Sequence, residues 1–255
     1  MIDLHSHILP GIDDGAKEMA VTMEMLQIAV KDGTKKIAAT PHFYTGYYEN
    51  VYEDVYKLVK EINVKAKEKG IDIDVVSGQE IFLDKHTLEF YKGGVIKGIG
   101  ETRYMLIELS MERMPKDALD IIYELRIEGV VPIIAHPERY NYIIEKPSRI
   151  NEFIAEGCFF QINSGSISGM FGKRIQKISQ MFIQHGVCDF IASDAHSTGM
   201  RSPKMKETLE QVESLNHVLY ENVIDNAEKL LNNSEIYSRA EKIKEKKVLF
   251  SFFKR

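Results

Sequence analysis

Val131-Pro132-Ile133-Ile134-Ala135-His136-Pro137-Glu138-Arg139 begins as an apolar, β-branched run and stops on an imidazole, a carboxylate and a guanidinium. The run 131–135 predicts a buried strand. Before it, residues 115–128 carry proline in the first turn, set Leu119, Ile122 and Leu125 at helical spacing, and end at Gly129. After it come a short helical pattern at 150–156, ended by Gly157, and a second strand pattern at 159–163.

The same alternation extends to both ends. Strands are expected at 1–5, 36–40, 73–77, 104–109, 131–135, 159–163 and 188–192. Helices are expected at 18–31, 51–69, 115–128, 150–156, 171–185, 203–215 and 222–231. Strand followed by helix, repeated, argues for a parallel α/β sheet with helical crossovers, closed as a barrel or open and doubly wound. No G-x-G-x-x-G follows the first strand, which weakens a dinucleotide-binding reading. A chain of 255 residues suits one barrel, and 44% hydrophobic content suffices for its core. We expect one domain, residues 1–240, and a basic, aromatic tail, residues 241–255, able to dock on an anionic membrane surface. Net charge is −5, so no global positive field gathers nucleic acid. Two cysteines make no disulfide framework, and no signal peptide or membrane-spanning run is visible, so a cytoplasmic location is expected.

Nearly every strand ends in a metal-ligand side chain. The first runs into His5-Ser6-His7, the second into His42, the third into Glu80, and the fourth carries Glu108. The fifth runs into His136 and the seventh into Asp194-Ala195-His196. Parallel strands bring their carboxyl ends to one face, where these side chains would meet. The i, i+2 spacing of His5 and His7, and of Asp194 and His196, puts each pair on one face of an extended segment. A mixed nitrogen and oxygen donor set favours Mn, Fe or Zn over Ca or Mg. Asp13 and Asp14 precede the first helix; one of them caps it and the other points back at the metals, and the sequence does not choose. Arg139 is a natural bidentate phosphate clamp, with a surface salt bridge to Glu138 or Glu145 as the alternative; Arg201 is a second candidate. Tyr47 and Tyr48 follow His42 and are expected to stack on a substrate ring or to pack their own loop. His86, His185 and His217 read as structural or exposed. A cysteine-dependent phosphatase needs an arginine six positions after its thiol; Ser164 and Asp194 stand there after Cys158 and Cys188, so both thiols read as core residues.

Together, His5-Ser6-His7, Thr40-Pro41-His42, Gly78-Gln79-Glu80, Ala135–Arg139 and Ser193–His196 resemble the polymerase-and-histidinol-phosphatase (PHP) superfamily. The opening HSHILPGIDDG, His5–Gly15, is similar to the manganese-dependent protein-tyrosine phosphatases of bacterial capsule and exopolysaccharide operons, the CpsB/YwqE/CapC group. The resemblance implies a distorted (β/α)7 TIM-like barrel holding three Mn2+ ions. It gives ligand roles to His5, His7, Asp14, His42, Glu80, Glu108, His136, Asp194 and His196, and a phosphate-binding role to Arg139. The segment around Arg201 matches the family loop less closely. The implied reaction is attack of a metal-activated hydroxide on phosphotyrosine, with the tyrosine-rich tail of a bacterial tyrosine kinase as substrate and His42 or His196 as a candidate acid. Three alternatives stand beside it: a small-molecule phosphatase such as one acting on histidinol phosphate, a non-catalytic metal-binding kinase partner, and a nuclease, which the acidic charge disfavours.

Overall fold

The computed structural model describes residues 1–244. In chain order the elements are β1 (Ile2–Asp3) and α1 (Met19–Asp32); β2 (Lys36–Ala39), β3 (His42–Tyr44), β4 (Tyr48–Glu49) and α2 (Tyr52–Glu68); β5 (Asp74–Ser77), β6 (Glu80–Phe82) and α3 (Thr87–Lys92). Then follow β7 (Tyr104–Glu108) and α4 (Ala118–Ile127); β8 (Val131–Ala135), α5 (Asn141–Glu145) and α6 (Ile150–Ala155); β9 (Phe159–Asn163), α7 (Ser164–Ser168) and α8 (Lys173–Gln184); and β10 (Phe190–Ala192), α9 (Lys206–Leu215) and α10 (His217–Leu231).

The strands pair as β1-β2-β5 and as β10-β9-β8-β7-β6-β3-β4, parallel throughout except for the β3–β4 hairpin. These two sheets are one barrel of seven staves. The second expected strand breaks into β2 and β3 at Thr40-Pro41, where proline has no N–H for the ladder. The third breaks into β5 and β6 at Gly78-Gln79. Gly78 N–H donates to Ala39 O (2.9 Å) and Glu80 N–H to Pro41 O (3.1 Å), so pairing continues across both breaks. The first stave closes the ring: Thr40 N–H donates to Ser6 O (2.8 Å), while His7 N–H donates to Ala195 O (2.8 Å) beyond β10.

Side-chain alternation sorts the barrel wall. In β7, Met105 and Ile107 face outward with Ile122 and Leu125 of α4. Tyr104 and Leu106 face the interior, and Glu108 follows two positions on. Leu4, Ile133, Phe159 and Phe190 fill the same interior floor, closed below by Leu230 of α10 and by Ile236. The barrel is therefore apolar at its base and polar at its mouth.

Three helix starts differ from the sequence expectation by three residues or more. α4 begins at Ala118 rather than 115, with Asp117 as its N-cap, so Pro115 precedes the helix instead of standing in its first turn. α10 begins at His217 rather than 222, because Asn216 accepts Leu219 N–H and caps it. α9 begins at Lys206 rather than 203, where Asp32 at the end of α1 accepts from the Met205 and Lys206 N–H groups. Beyond α10 the chain stays on the barrel: Glu241 N–H donates to His185 O, and Asn151 exchanges two hydrogen bonds with buried Ile243. The basic and aromatic tail expected at 241–255 lies mostly outside the described residues. Among those described, no helix is long and apolar enough to cross a membrane.

Candidate metal centre

Six of the seven staves send a histidine or an acid into the mouth of the barrel. His5 and His7 continue β1, His42 opens β3, Glu80 opens β6, and Glu108 closes β7. His136 follows β8, and Asp194 and His196 follow β10. Asp14 reaches in from the loop after the first stave. His136 and Asp194 hold left-handed backbone, with φ of 33° and 51°. Such strain in a non-glycine residue costs on the order of 1–3 kcal/mol and persists where surrounding structure enforces it.

The nine side chains expected as ligands meet here. His5 Nε2 lies 3.3 Å from His7 Nε2, 3.3 Å from Glu80 Oε1 and 3.5 Å from Asp194 Oδ1. Glu80 Oε2 faces His7 Nε2 (3.3 Å) and His42 Nδ1 (3.0 Å), so this carboxylate spans two neighbouring groups. His136 Nε2 approaches Glu80 Oε1 (2.9 Å) and Glu108 Oε1 (3.6 Å). Asp14 Oδ1 lies 3.3 Å from His196 Nε2 and 3.5 Å from His42 Nε2. Among the described residues, three sets have ligand atoms mutually within 4.8 Å: His5, His7 and Glu80; His42, Glu80 and Glu108; and His7, Asp14, His42 and His196.

The acid pair before α1 divides differently from the expectation, since neither residue caps that helix and its N-cap is Glu18. Asp13 is buried and accepts from His7 Nδ1–H (2.8 Å), which turns His7 Nε2 toward the cluster. Arg139 makes no pair with its neighbour Glu138, which turns inward to accept Asn163 N–H. Instead Arg139 Nη1 (2.9 Å) and Arg201 Nη2 (2.8 Å) both donate to Asp194 Oδ2. The Arg139 guanidinium also lies 4.9 Å over the Phe171 ring. Tyr48 stacks on His42 at 5.8 Å, whereas Tyr47 is 74% exposed and stacks on Tyr44. His217 is exposed and His86 and His185 are partly buried, all outside the cluster. Both thiols are buried, and burial raises their pKa.

Sequence reasoning missed Asp13 as a partner of His7, and also Gln161 and Asn163. Gln161 Oε1 meets His5 Nδ1 at 2.9 Å, and Asn163 Nδ2–H donates to Asp194 Oδ2. The available signal was two amides at alternate positions of an otherwise apolar strand.

Crowding sets the ionisation of these groups. Burial and the nearby Glu80 charge push Glu108 up to about 8. Burial and Arg139 lower His136 to about 4. Burial depresses His7, but Asp13 and Glu80 outweigh it and hold the imidazole at about 9. His42 stands at about 9 on the same balance, with Glu80 as the main opposing partner. Four carboxylates among five imidazoles are a donor set that a divalent cation neutralises more fully than shared protons do. The residues fit such ions: the donors are convergent and mostly buried, and their mixed N/O chemistry suits a first-row metal.

Comparison with known proteins agrees with this architecture. The family model for capsular polysaccharide synthesis, CpsB/CapC, matches residues 1–232. Tyrosine-protein phosphatase YwqE of Bacillus subtilis is 35% identical over 254 residues, covering 99% of this chain and 100% of YwqE. Tyrosine-protein phosphatase CpsB of Streptococcus agalactiae is 29% identical over 247 residues, covering 92% and 100%. A crystal structure from work on YwqE of Bacillus subtilis and CpsB of Streptococcus pneumoniae, described as unique metal-dependent tyrosine phosphatases, superposes with a TM-score of 0.92 at 34% identity; it covers 96% of this chain and 100% of the other. Histidinol phosphate phosphatase of Lactococcus lactis gives a TM-score of 0.53 at 12% identity over 93% of this chain and 95% of the other, a likeness of fold alone.

Proposed function

The chain belongs to the CpsB/CapC family of capsular polysaccharide synthesis, and from that premise we propose that it is a metal-dependent protein-tyrosine phosphatase. The observation that carries the reading is the meeting of nine histidine and acid side chains with two guanidiniums at one barrel mouth. We assign the cluster three divalent ions, physiologically Mn2+, which these nine side chains would hold, with Glu80, whose two oxygens face different histidines, central among them. Bound ions of this kind act as Lewis acids and bring the pKa of a coordinated water toward about 7.

The chain's own residues do the rest. Arg139 and Arg201 turn from Asp194 to the phosphate and bind its non-bridging oxygens. Tyr48, against His42, offers a face to the substrate ring. Both nitrogens of His42 face carboxylates, so we assign it to holding a cation rather than to delivering a proton. A tyrosinate leaving group, with a pKa of about 10, departs with little help from an acid. The buried thiols take no part. We assign the substrate as the phosphorylated, tyrosine-rich tail of a bacterial tyrosine kinase in capsule synthesis, met in the cytoplasm; the family description supports the link to capsule synthesis, and the relatives' names support phosphotyrosine as the group hydrolysed.

The test is hydrolysis of a phosphotyrosine peptide, of a phosphorylated kinase tail and of histidinol phosphate by metal-stripped protein resupplied with Mn, Mg or Zn. Mn-dependent hydrolysis of the peptide and the tail is expected. Full activity after chelation refutes the scheme, and a strong preference for histidinol phosphate moves the protein to the small-molecule class.

A further inference from the structure

We propose that Gln161 and Asn163 form a positioning relay that decides which nitrogen His5 presents to a cation and holds Asp194 where it gathers the two guanidiniums. Of the seven staves, β9 alone supplies no histidine or acid to the cluster. It nevertheless buries two primary amides at alternate positions, with Gln161 and Asn163 at most 1% exposed. A buried amide is costly unless its donors and acceptor are engaged. Here they form one directed chain. His5 Nδ1 lies 2.9 Å from Gln161 Oε1, Gln161 Nε2–H donates to Asn163 Oδ1 (2.8 Å), and Asn163 Nδ2–H donates to Asp194 Oδ2 (2.7 Å).

The direction follows from its far end. An ionised Asp194 only accepts, so Asn163 must offer its NH2 there and its oxygen backward. Gln161 must then give its NH2 to Asn163 and its oxygen to His5. His5 Nδ1 therefore carries the hydrogen, and the Nε2 lone pair is left facing His7, Glu80 and Asp194. Reversed amides would put an NH2 against Nδ1 and select the tautomer whose hydrogen blocks the cation. At the other end, Asp194 Oδ2 receives Asn163, Arg139 and Arg201, while Oδ1 stays on the histidine side. Asn163 N–H is itself anchored on Glu138 Oε1 (3.0 Å). One pair of amides thus orients both the cation side and the phosphate side of the site.

This inference rests on the cluster being a metal centre, and the experiment separates the two. Mn2+ affinity by calorimetry and the inhibition constant of inorganic phosphate are measured on the full chain, on Gln161→Met and on Gln161→Glu. Gln161→Met keeps the length but removes the acceptor, so Mn2+ should bind about 10- to 100-fold more weakly. Gln161→Glu keeps the acceptor and loses the donor to Asn163. It should bind Mn2+ no more than about threefold more weakly than the parent, while its phosphate inhibition constant rises several-fold. Gln161→Met with parental Mn2+ affinity overturns the relay, as does Gln161→Glu losing as much affinity as Gln161→Met. If Gln161→Met does not fold, the Glu variant decides alone: retained affinity with weakened phosphate binding supports the relay, and lost affinity overturns it. A parent chain that binds no Mn2+ sinks the metal centre itself.

Discussion

Single side chains in this mouth have separable duties, and substitutions should separate them. Glu80 touches His5, His7, His42 and His136, so Glu80→Ala leaves four imidazoles without their shared anion. Loss of bound metal by elemental analysis, together with nearly all activity, is expected. Among the described residues, Arg139 donates to Asp194 at the edge of the cluster and to no histidine there. Arg139→Ala should keep the metal content and weaken inhibition by phosphate roughly 10- to 100-fold, the scale of one charge-assisted hydrogen bond of about 1.5–3 kcal/mol. Equal metal loss in both variants contradicts this division. Between the tyrosines, Tyr48 lies against His42 and Tyr47 against Tyr44. Tyr48→Ala should raise the KM for phosphotyrosine peptides about 3- to 10-fold, from a stacking contribution of about 0.5–1.5 kcal/mol, and Tyr47→Ala should change it less. No change in either variant ends the stacking idea. The candidate ligands were legible because histidine and acid at successive strand ends have few other uses. Asp13 and Gln161 were not, because an orienting residue is defined by the side chain it meets, and that partner is fixed only once the barrel closes.

At the level of elements, the strand–helix rhythm was readable from apolar spacing and glycine stops, as at Gly33, where α1 ends in left-handed backbone. The breaks at Thr40-Pro41 and Gly78-Gln79 were not, since apolar spacing shows where strands lie and not where hydrogen bonding passes from one neighbour to the next. The start of α9 was hidden for a related reason: its capping carboxylate, Asp32, comes from another helix. The loop after the first stave shows how an element delivers ligands. Gly11-Ile12-Asp13-Asp14-Gly15 folds back on His7, with Ala16 N–H donating to His7 O (3.0 Å) and Gly15 N–H to Asp13 Oδ1 (2.9 Å). A Cβ at Gly15 would stand 2.0 Å from His7 O, where backbone has to move. Gly15→Ala is therefore expected to displace both aspartates, lower the bound-metal stoichiometry, and destabilise the chain by roughly 1–3 kcal/mol in a denaturant melt. An unchanged stoichiometry would show that the loop does not position Asp14.

On the scale of the whole molecule, the base and the mouth of the barrel respond to different variables. At the base, burial pushes the Asp189 carboxyl from its ordinary 3.8 up to about 7, although it accepts Phe160 N–H. The folded state then binds this proton more tightly than the unfolded one. The group's contribution is fully present below pH 4 and is lost as pH rises toward and through 7. Asp189→Asn removes that slope, so its melting temperature relative to the parent should climb between pH 4 and pH 7, by the equivalent of up to about 4 kcal/mol. A constant offset contradicts the shift. At the mouth, six staves that meet nowhere else in sequence converge on one cluster, and the first and seventh are joined there by Ser6 and Ala195. Ions held by all of them, as proposed, would bind the closed barrel and not the unfolded chain. At Mn2+ of about 100 times Kd, one such site adds roughly 2.7 kcal/mol. For a chain of this length that corresponds to about 5–10 °C in Tm. Chelation should remove the increment and Mn2+ should restore it, in the parent but not in Glu80→Ala. A Tm indifferent to chelator would mean that the mouth is held by its own hydrogen bonds and that cations contribute nothing to closing the ring.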